Sequence, residues 1–183
     1  MSKVNMYFAT GYEEVEALTV VDLLRRVGIE TNMVSITDDK TVTGSHGITV
    51  TMDKVFDEAE EADMIILPGG TPGTTNLLAC DKLTDMIKDY YNKGRYIAAI
   101  CAAPTVFGKL GLLKDRRATC YPGMEDELFC EEALEDAVVM DGKIITSRGL
   151  GTAIDFALAI ITALMDDEVA TDLAGKIVYC SDK

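Results

Sequence analysis

The sequence predicts an α/β fold in which helices cover both faces of a mostly parallel sheet. Three observations carry that reading. Short runs rich in β-formers alternate with stretches of helical period from the first residues onward. Asp63-Met-Ile-Ile-Leu-Pro68 is a continuous apolar run that ends in Gly69-Gly70, the pattern of a strand buried on both faces. Tyr96-Ile-Ala-Ala-Ile100 stops at Cys101, and Pro104 follows where a helix can start without loss of an N–H bond.

Taken in order, Val4 to Ala9 is a strand, Glu14 to Val27 a helix and Thr31 to Ile36 a second strand, which makes a βαβ opening. Thr41 to Met52 reads as a hairpin, and the run from Asp63 belongs at the sheet centre. Leu77 to Asn92 is expected to form one helix closed by Gly94, leading into the strand before Cys101. Ala118 to Tyr121 and Ala137 to Met140 are short strands, Asp141-Gly142 is a hairpin turn, and Lys143 to Ser147 returns. Gly149-Leu-Gly151 breaks the chain before an apolar helix from Ala153 to Met165, and a more polar tail begins at Asp166. The arrangement is a flavodoxin-like three-layer sandwich, with residues 1–183 as a single domain.

Composition narrows the function classes. With 17 basic and 31 acidic residues the net charge is −14, which opposes binding to nucleic acid or an anionic membrane surface. No apolar run approaches the length of a membrane helix, and the first residues already read as a strand rather than a secretory signal, so a cytoplasmic protein is expected. Five cysteines at irregular spacing and a single histidine provide neither a disulfide framework nor a zinc site, so no metal is expected.

Chemistry is expected at turns that follow strands, because ligands of such sheets bind beyond the carboxyl ends of the strands. Three turns qualify: Thr10 to Glu16, Gly69 to Gly73, and Cys101-Ala-Ala103. Cys101 occupies a strand-to-helix corner flanked by small residues, the shape of a nucleophile elbow with alanines in place of glycines. A helix N-terminus lowers a thiol pKa from about 8.5 toward 7 or below, so a reactive sulfur is expected here, although a cysteine in a core is often inert packing. Gly69 and Gly70 by themselves need be no more than turn residues. Beside a thiol, their N–H groups and that of Ala102 form a candidate oxyanion hole. Glu13, Glu14 and Glu16 suit a helix start, and one of them facing the sulfur would share a proton with it; spacing does not choose among the three. His46, in Thr43-Gly-Ser-His-Gly47, reads as a surface loop residue, and a Cys–His dyad would require it to reach Cys101 from upstream. Val15 and Leu18 are expected to point away from the core side of the first helix, leaving a second apolar stripe suited to a dimer.

These residues together resemble the ThiJ/PfpI superfamily, in the branch of the parkinsonism-associated deglycase and its bacterial chaperone-like relatives. The resemblance rests on Gly11-Tyr-Glu-Glu-Val-Glu16, Val21-Asp-Leu-Leu-Arg-Arg26, Leu67-Pro-Gly-Gly70, Ala98-Ala-Ile-Cys-Ala-Ala-Pro104 and the stretch from Thr146 through Gly149-Leu-Gly151 to Phe156 and beyond. It implies a homodimer with Cys101 as nucleophile or oxidation-sensitive thiol, Glu16 as its protonated partner, and Gly69, Gly70 and Ala102 as oxyanion-binding groups. His46, Tyr121 and Arg26 become candidate pocket residues. The implied activity is cofactor-free conversion of small reactive α-oxoaldehydes, or repair of early glycation adducts, with a small carbonyl compound as substrate. The alternative is a non-enzymatic sensor or redox-regulated chaperone of oxidative stress that acts through oxidation of the same cysteine.

The chain departs from the resemblance at several places. Tyr121 stands where some relatives carry a histidine, His46 where the animal branch has an arginine, and Leu150 replaces a proline. Ala102 stands where the protease branch has a histidine after the nucleophile, which disfavours peptidase activity. Cys80, Cys120, Cys130 and Cys180 are expected to pack, with Cys120 nearest the pocket.

Overall fold

The computed structural model describes residues 2–179. The main sheet is built from β1 (Lys3–Phe8), β2 (Glu30–Ser35), β5 (Lys54–Val55), β6 (Met64–Leu67), β7 (Tyr96–Ile100), β10 (Val138–Asp141) and β11 (Ile144–Ser147). Their order is β10-β11-β7-β6-β1-β2-β5, so the apolar run from Asp63 does lie at the centre. Only the β10–β11 pair is antiparallel within this sheet.

Burial on both faces follows from the two-residue period of a strand. Met64 and Ile66 face one core with Val4, Met6 and Ile145, covered by α1 (Glu14–Arg26), α5 (Ala153–Leu164) and α6 (Asp167–Lys176). Ile65 and Leu67 face the other with Tyr7, Ile97 and Ala99, covered by α2 (Thr71–Leu78), α3 (Asp81–Asn92) and α4 (Pro104–Lys109). Ala17, Val20, Val21 and Leu24 of α1 are buried as their spacing predicts. On the same helix Val15 is 49% exposed, while Leu18 packs partly against the core instead of pointing away.

Several elements differ from the sequence reading. The helix expected over Leu77 to Asn92 is two helices: Pro72 lets α2 start in the glycine-rich turn, and Cys80, in an extended conformation, breaks the run before Asp81. Gly73 permits that early start, because a methyl there would lie 2.7 Å from the Tyr12 backbone nitrogen. The segment after Ala118 is not a strand of the main sheet. Only β8 (Arg117–Ala118) pairs, with β9 (Glu132–Ala133), and the chain then lies over the β7–α4 corner. The Thr41–Met52 region is a small separate hairpin of β3 (Thr41–Thr43) and β4 (Thr49–Thr51). The polar tail forms the ten-residue α6, started by Asp166, whose Oδ1 accepts the Val169 N–H at 2.9 Å. Cys120 is buried and Cys80 and Cys130 are half-buried, whereas Cys180 lies outside the described residues.

No helix among the described residues is long and apolar enough to cross a membrane. Phe156 is fully buried where α5 meets the sheet. Phe156→Ala is expected to lower the unfolding free energy by about 3–5 kcal/mol, measured by chemical denaturation.

Candidate active site

β1, β6, β7 and β11 are neighbours in the sheet, and the segments that leave their carboxyl ends converge. Cys101 is the first residue after β7 and has φ +65°, a left-handed conformation that costs a non-glycine residue about 1–3 kcal/mol. Its neighbours leave it no alternative. The Cys101 N–H donates to Ser147 O at 2.9 Å, its carbonyl accepts the Tyr121 N–H at 2.8 Å, and the Ala103 N–H closes onto Ile100 O at 3.1 Å. The elbow inferred from small flanking residues is therefore present as backbone geometry, and the thiol is partly exposed at its tip.

Glu16, in the first turn of α1, is 1% exposed, and its carboxyl group and the Cys101 side chain both border the space over Gly69. Its Oε2 accepts the Gly69 N–H at 3.1 Å. Gly69 is small because the two reactive groups meet over it: a methyl there would lie 2.5 Å from Cys101 Cβ and overlap Glu16 Oε2. With the Gly69 N–H committed to Glu16, the N–H groups of Gly70 and Ala102 are the ones directed at the sulfur. Gly149, just after β11, closes another side, where a methyl would stand 3.9 Å from Glu16 Oε1 and 3.5 Å from the Tyr121 ring. The rule that picked three turns picks this fourth one equally well; its glycine is the site residue that sequence reasoning passed over.

The other two glutamates do different work. Glu13 caps α1, its Oε2 accepting the Glu16 N–H at 2.7 Å. Glu14 is 2% exposed and holds the tip of the β3–β4 hairpin, accepting from the His46 N–H at 2.7 Å and meeting its ring Nδ1 at 2.9 Å. His46 is thus fastened to Glu14 at the surface, and its recorded hydrogen bonds do not include the sulfur. Tyr121 is half exposed at the rim. Arg26 is not brought to this group: it lies in the last turn of α1, about 15 Å along the helix from Glu16, and its Nε pairs with Asp22 at 2.6 Å.

The electrostatics correct one expectation. Helix α4 has only six residues, and burial outweighs it: desolvation, then the neighbouring Glu16, push the Cys101 thiol up to about 12. Burial likewise raises Glu16 to about 7, helped by the charge of Glu13 and opposed by its bonds to Cys101 and Gly69. The sulfur alone is a poor thiolate. As a pair the two groups lose one proton near neutrality and hold the other far into alkaline solution. At Glu14, burial works upward too, but His46 and the N–H groups of Glu14, His46 and Ile48 outweigh it and hold the carboxyl at about 2. A separate cleft of about 560 Å3, lined by Asp63, Arg95 and Tyr96 among others, lies at the amino ends of β6 and β7, a strand length from the sulfur.

The structure thus defines a flavodoxin-like α/β protein with a strained cysteine elbow backed by a buried carboxyl group. Residues 2–163 match the DJ-1/PfpI family, to which the chain belongs. It is 39% identical over 180 residues to protein DJ-1 homolog B of Arabidopsis thaliana, covering 96% of this chain but only 41% of that protein. It is 32% identical to the glutathione-independent glyoxalase DJR-1.2 of Caenorhabditis elegans, covering 88% of this chain and 87% of that one. The solved structure of oxidized DJ-1 from Toxoplasma gondii superimposes with a TM-score of 0.95 at 37% identity, over 98% of this chain and all of the other.

The pair releases its first proton near 7; where the proton that remains resides on Glu16, alkylation of Cys101 by iodoacetamide rises with pH and levels off above a midpoint close to 7. A profile still climbing steeply at pH 9, as an ordinary or isolated buried thiol would give, is the contrary result.

Proposed function

We propose that the protein converts small α-oxoaldehydes such as methylglyoxal to hydroxy acids. The observation that carries this reading is the juxtaposed Cys101–Glu16 pair beneath a partly exposed sulfur, and a glyoxalase among the relatives supports it. Glu16 takes the thiol proton as the sulfur attacks the aldehyde carbon, and returns that proton to the new alkoxide to give a hemithioacetal. Gly70 and Ala102 N–H groups stabilise the alkoxide as it forms. Glu16, now a carboxylate, removes the proton from the former aldehyde carbon and delivers it to the adjacent carbonyl carbon, while the hydroxyl proton on the first carbon passes to the oxygen of the second. The first carbon is thereby oxidised to a thioester and the second reduced to an alcohol, so the redox change is internal to the substrate. Water then cleaves the thioester, releasing the hydroxy acid and restoring the thiol. Hemithioacetal or aminocarbinol adducts of the same aldehydes enter the same sequence once they expel their thiol or amine and regenerate the aldehyde, which constitutes repair of early glycation.

A carboxyl group poised near 7 suits both directions of this transfer. In assays of hydroxy-acid formation from methylglyoxal, Cys101→Ala is expected to abolish turnover and Glu16→Gln to lower kcat by about 10²–10⁴-fold. Full turnover by Cys101→Ala would rule out the mechanism.

A second reading is favoured by the same donors. One peroxide molecule oxidises the thiolate to a sulfenate with release of water, and a second gives the sulfinate, whose oxygens could accept from Gly70, Ala102 and protonated Glu16. The Toxoplasma gondii relative was solved as an oxidized protein. Mass spectrometry after two or more equivalents of peroxide is expected to find two added oxygens on the Cys101 peptide; an unmodified peptide would remove this role.

A further inference from the structure

Glu13, Gly69 and Glu16 form a closed ring of hydrogen bonds. The Glu13 N–H donates to Gly69 O at 2.9 Å, the Gly69 N–H donates to Glu16 Oε2 at 3.1 Å, and the Glu16 N–H donates to Glu13 Oε2 at 2.7 Å. Two of these bonds tie the turn after β6 to the start of α1, and the third commits one oxygen of the Glu13 side chain to the backbone of Glu16. Only 12% of that side chain is exposed. We propose that Glu13 is a positioning residue for the acid: the ring fixes Glu16 beside Cys101, and the Glu13 charge shifts the shared proton away from the sulfur and toward Glu16. The inference rests on the reading of Cys101 and Glu16 as the reactive pair and assigns the control of their proton to a third residue.

Each ionisable group around Glu13 bears on that assignment. Tyr12, just before it, is buried and raised to about 12, so it stays neutral through the working range. Glu14 is held at about 2 and stays ionised. His46 faces Glu13 from the hairpin, with Nδ1 3.7 Å from Oε1, but its closer bond is to Glu14 and its side chain is 69% exposed, so solvent screens it. Cys101 and Glu16 complete the set. The ring brings the uncompensated part of the Glu13 charge to bear on Glu16, and the direction is to raise its proton affinity.

The consequence for reactivity has a distinctive shape. A pair holding one proton divides between thiolate with acid and thiol with carboxylate. Removing the Glu13 charge stabilises the Glu16 carboxylate, so the second arrangement gains. Both the midpoint of the alkylation profile and its upper plateau must then fall, while the acid limb, set by the sulfur beside a protonated Glu16, stays in place.

Iodoacetamide alkylation of Cys101 between pH 5 and 9 in the full chain tests this. Glu13→Gln keeps an oxygen for the Glu16 N–H and removes the charge. It is expected to give a lower midpoint and a plateau several-fold below the parent, with the acid limb unchanged. Glu13→Asp keeps the charge and a good helix cap, and is expected to restore the parent profile. An unaltered profile in Glu13→Gln overturns the inference, as does an equal loss of rate at every pH, which would mark a merely structural role. Glu16→Leu, measured alongside, leaves the sulfur neither a proton donor nor a charged neighbour and must abolish the midpoint near 7. If that variant keeps the parent profile, the Cys101–Glu16 pair itself falls, and this inference with it.

Discussion

The rest of the site depends on one proton held between two acids that are both withdrawn from water. Burial disfavours the charged form of each, and the sulfur and the carboxyl would repel if both were ionised. The pair therefore carries a single negative charge over a broad range above neutrality. The groups recorded as hydrogen-bonding it are the backbone N–H groups of Gly69, Gly70 and Ala102. Such donors have fixed direction and do not titrate. They steady the charge without adding a further proton equilibrium, which is what a group that must accept and return a proton requires.

The fold supplies this arrangement through three adjacent parallel strands and the turns that leave them. β1 delivers α1 and its glutamates, β6 delivers the two glycines, and β7 delivers the cysteine. None of these turns makes the site alone. Cys101 is kept at φ +65° by bonds to Ser147 of β11 and to the backbone of Tyr121, so the cost of its strained backbone is met by the central sheet and an overlying segment. Gly69 shows how little room is left. Any side chain there would separate the acid from the sulfur, so the glycine serves close approach here, and Gly70, with φ +89°, serves the turn.

Much of this was legible in the chain because strands and helices advertise themselves by period. The unbroken apolar run Met64–Leu67 implied burial on both faces, and the passage from Ile100 to Pro104 implied the elbow. What depends on depth was not legible. The dipole argument for a lowered thiol took a long helix for granted, whereas α4 is short and the sulfur lies beside a buried carboxyl. The path of Thr119 to Tyr121 over the corner is set by tertiary bonds, the Thr119 N–H to Thr146 Oγ1 and the Tyr121 N–H to Cys101 O, and no local pattern encodes those. Arg26 illustrates a further limit: a motif can place a residue on the right helix and still leave it a helix length from the acid on the same chain.

The first turn of α1 sharpens the point about depth. Glu14 and Glu16 are two residues apart, both nearly without exposure and both at the end of a helix that favours negative charge, yet one holds its proton at about 2 and the other at about 7. The difference lies in the donors each one meets. Glu14 gathers the N–H groups of His46 and Ile48 and the imidazole, which together overcome burial; Glu16 gathers one backbone N–H and a thiol, which do not. A better-satisfied Glu16 would be a permanent carboxylate, and the sulfur beside it would then keep its proton. Too few donors around this one carboxyl is what leaves it holding a proton near neutrality, and the hairpin that so fully satisfies Glu14 shows that the same fold could have supplied more.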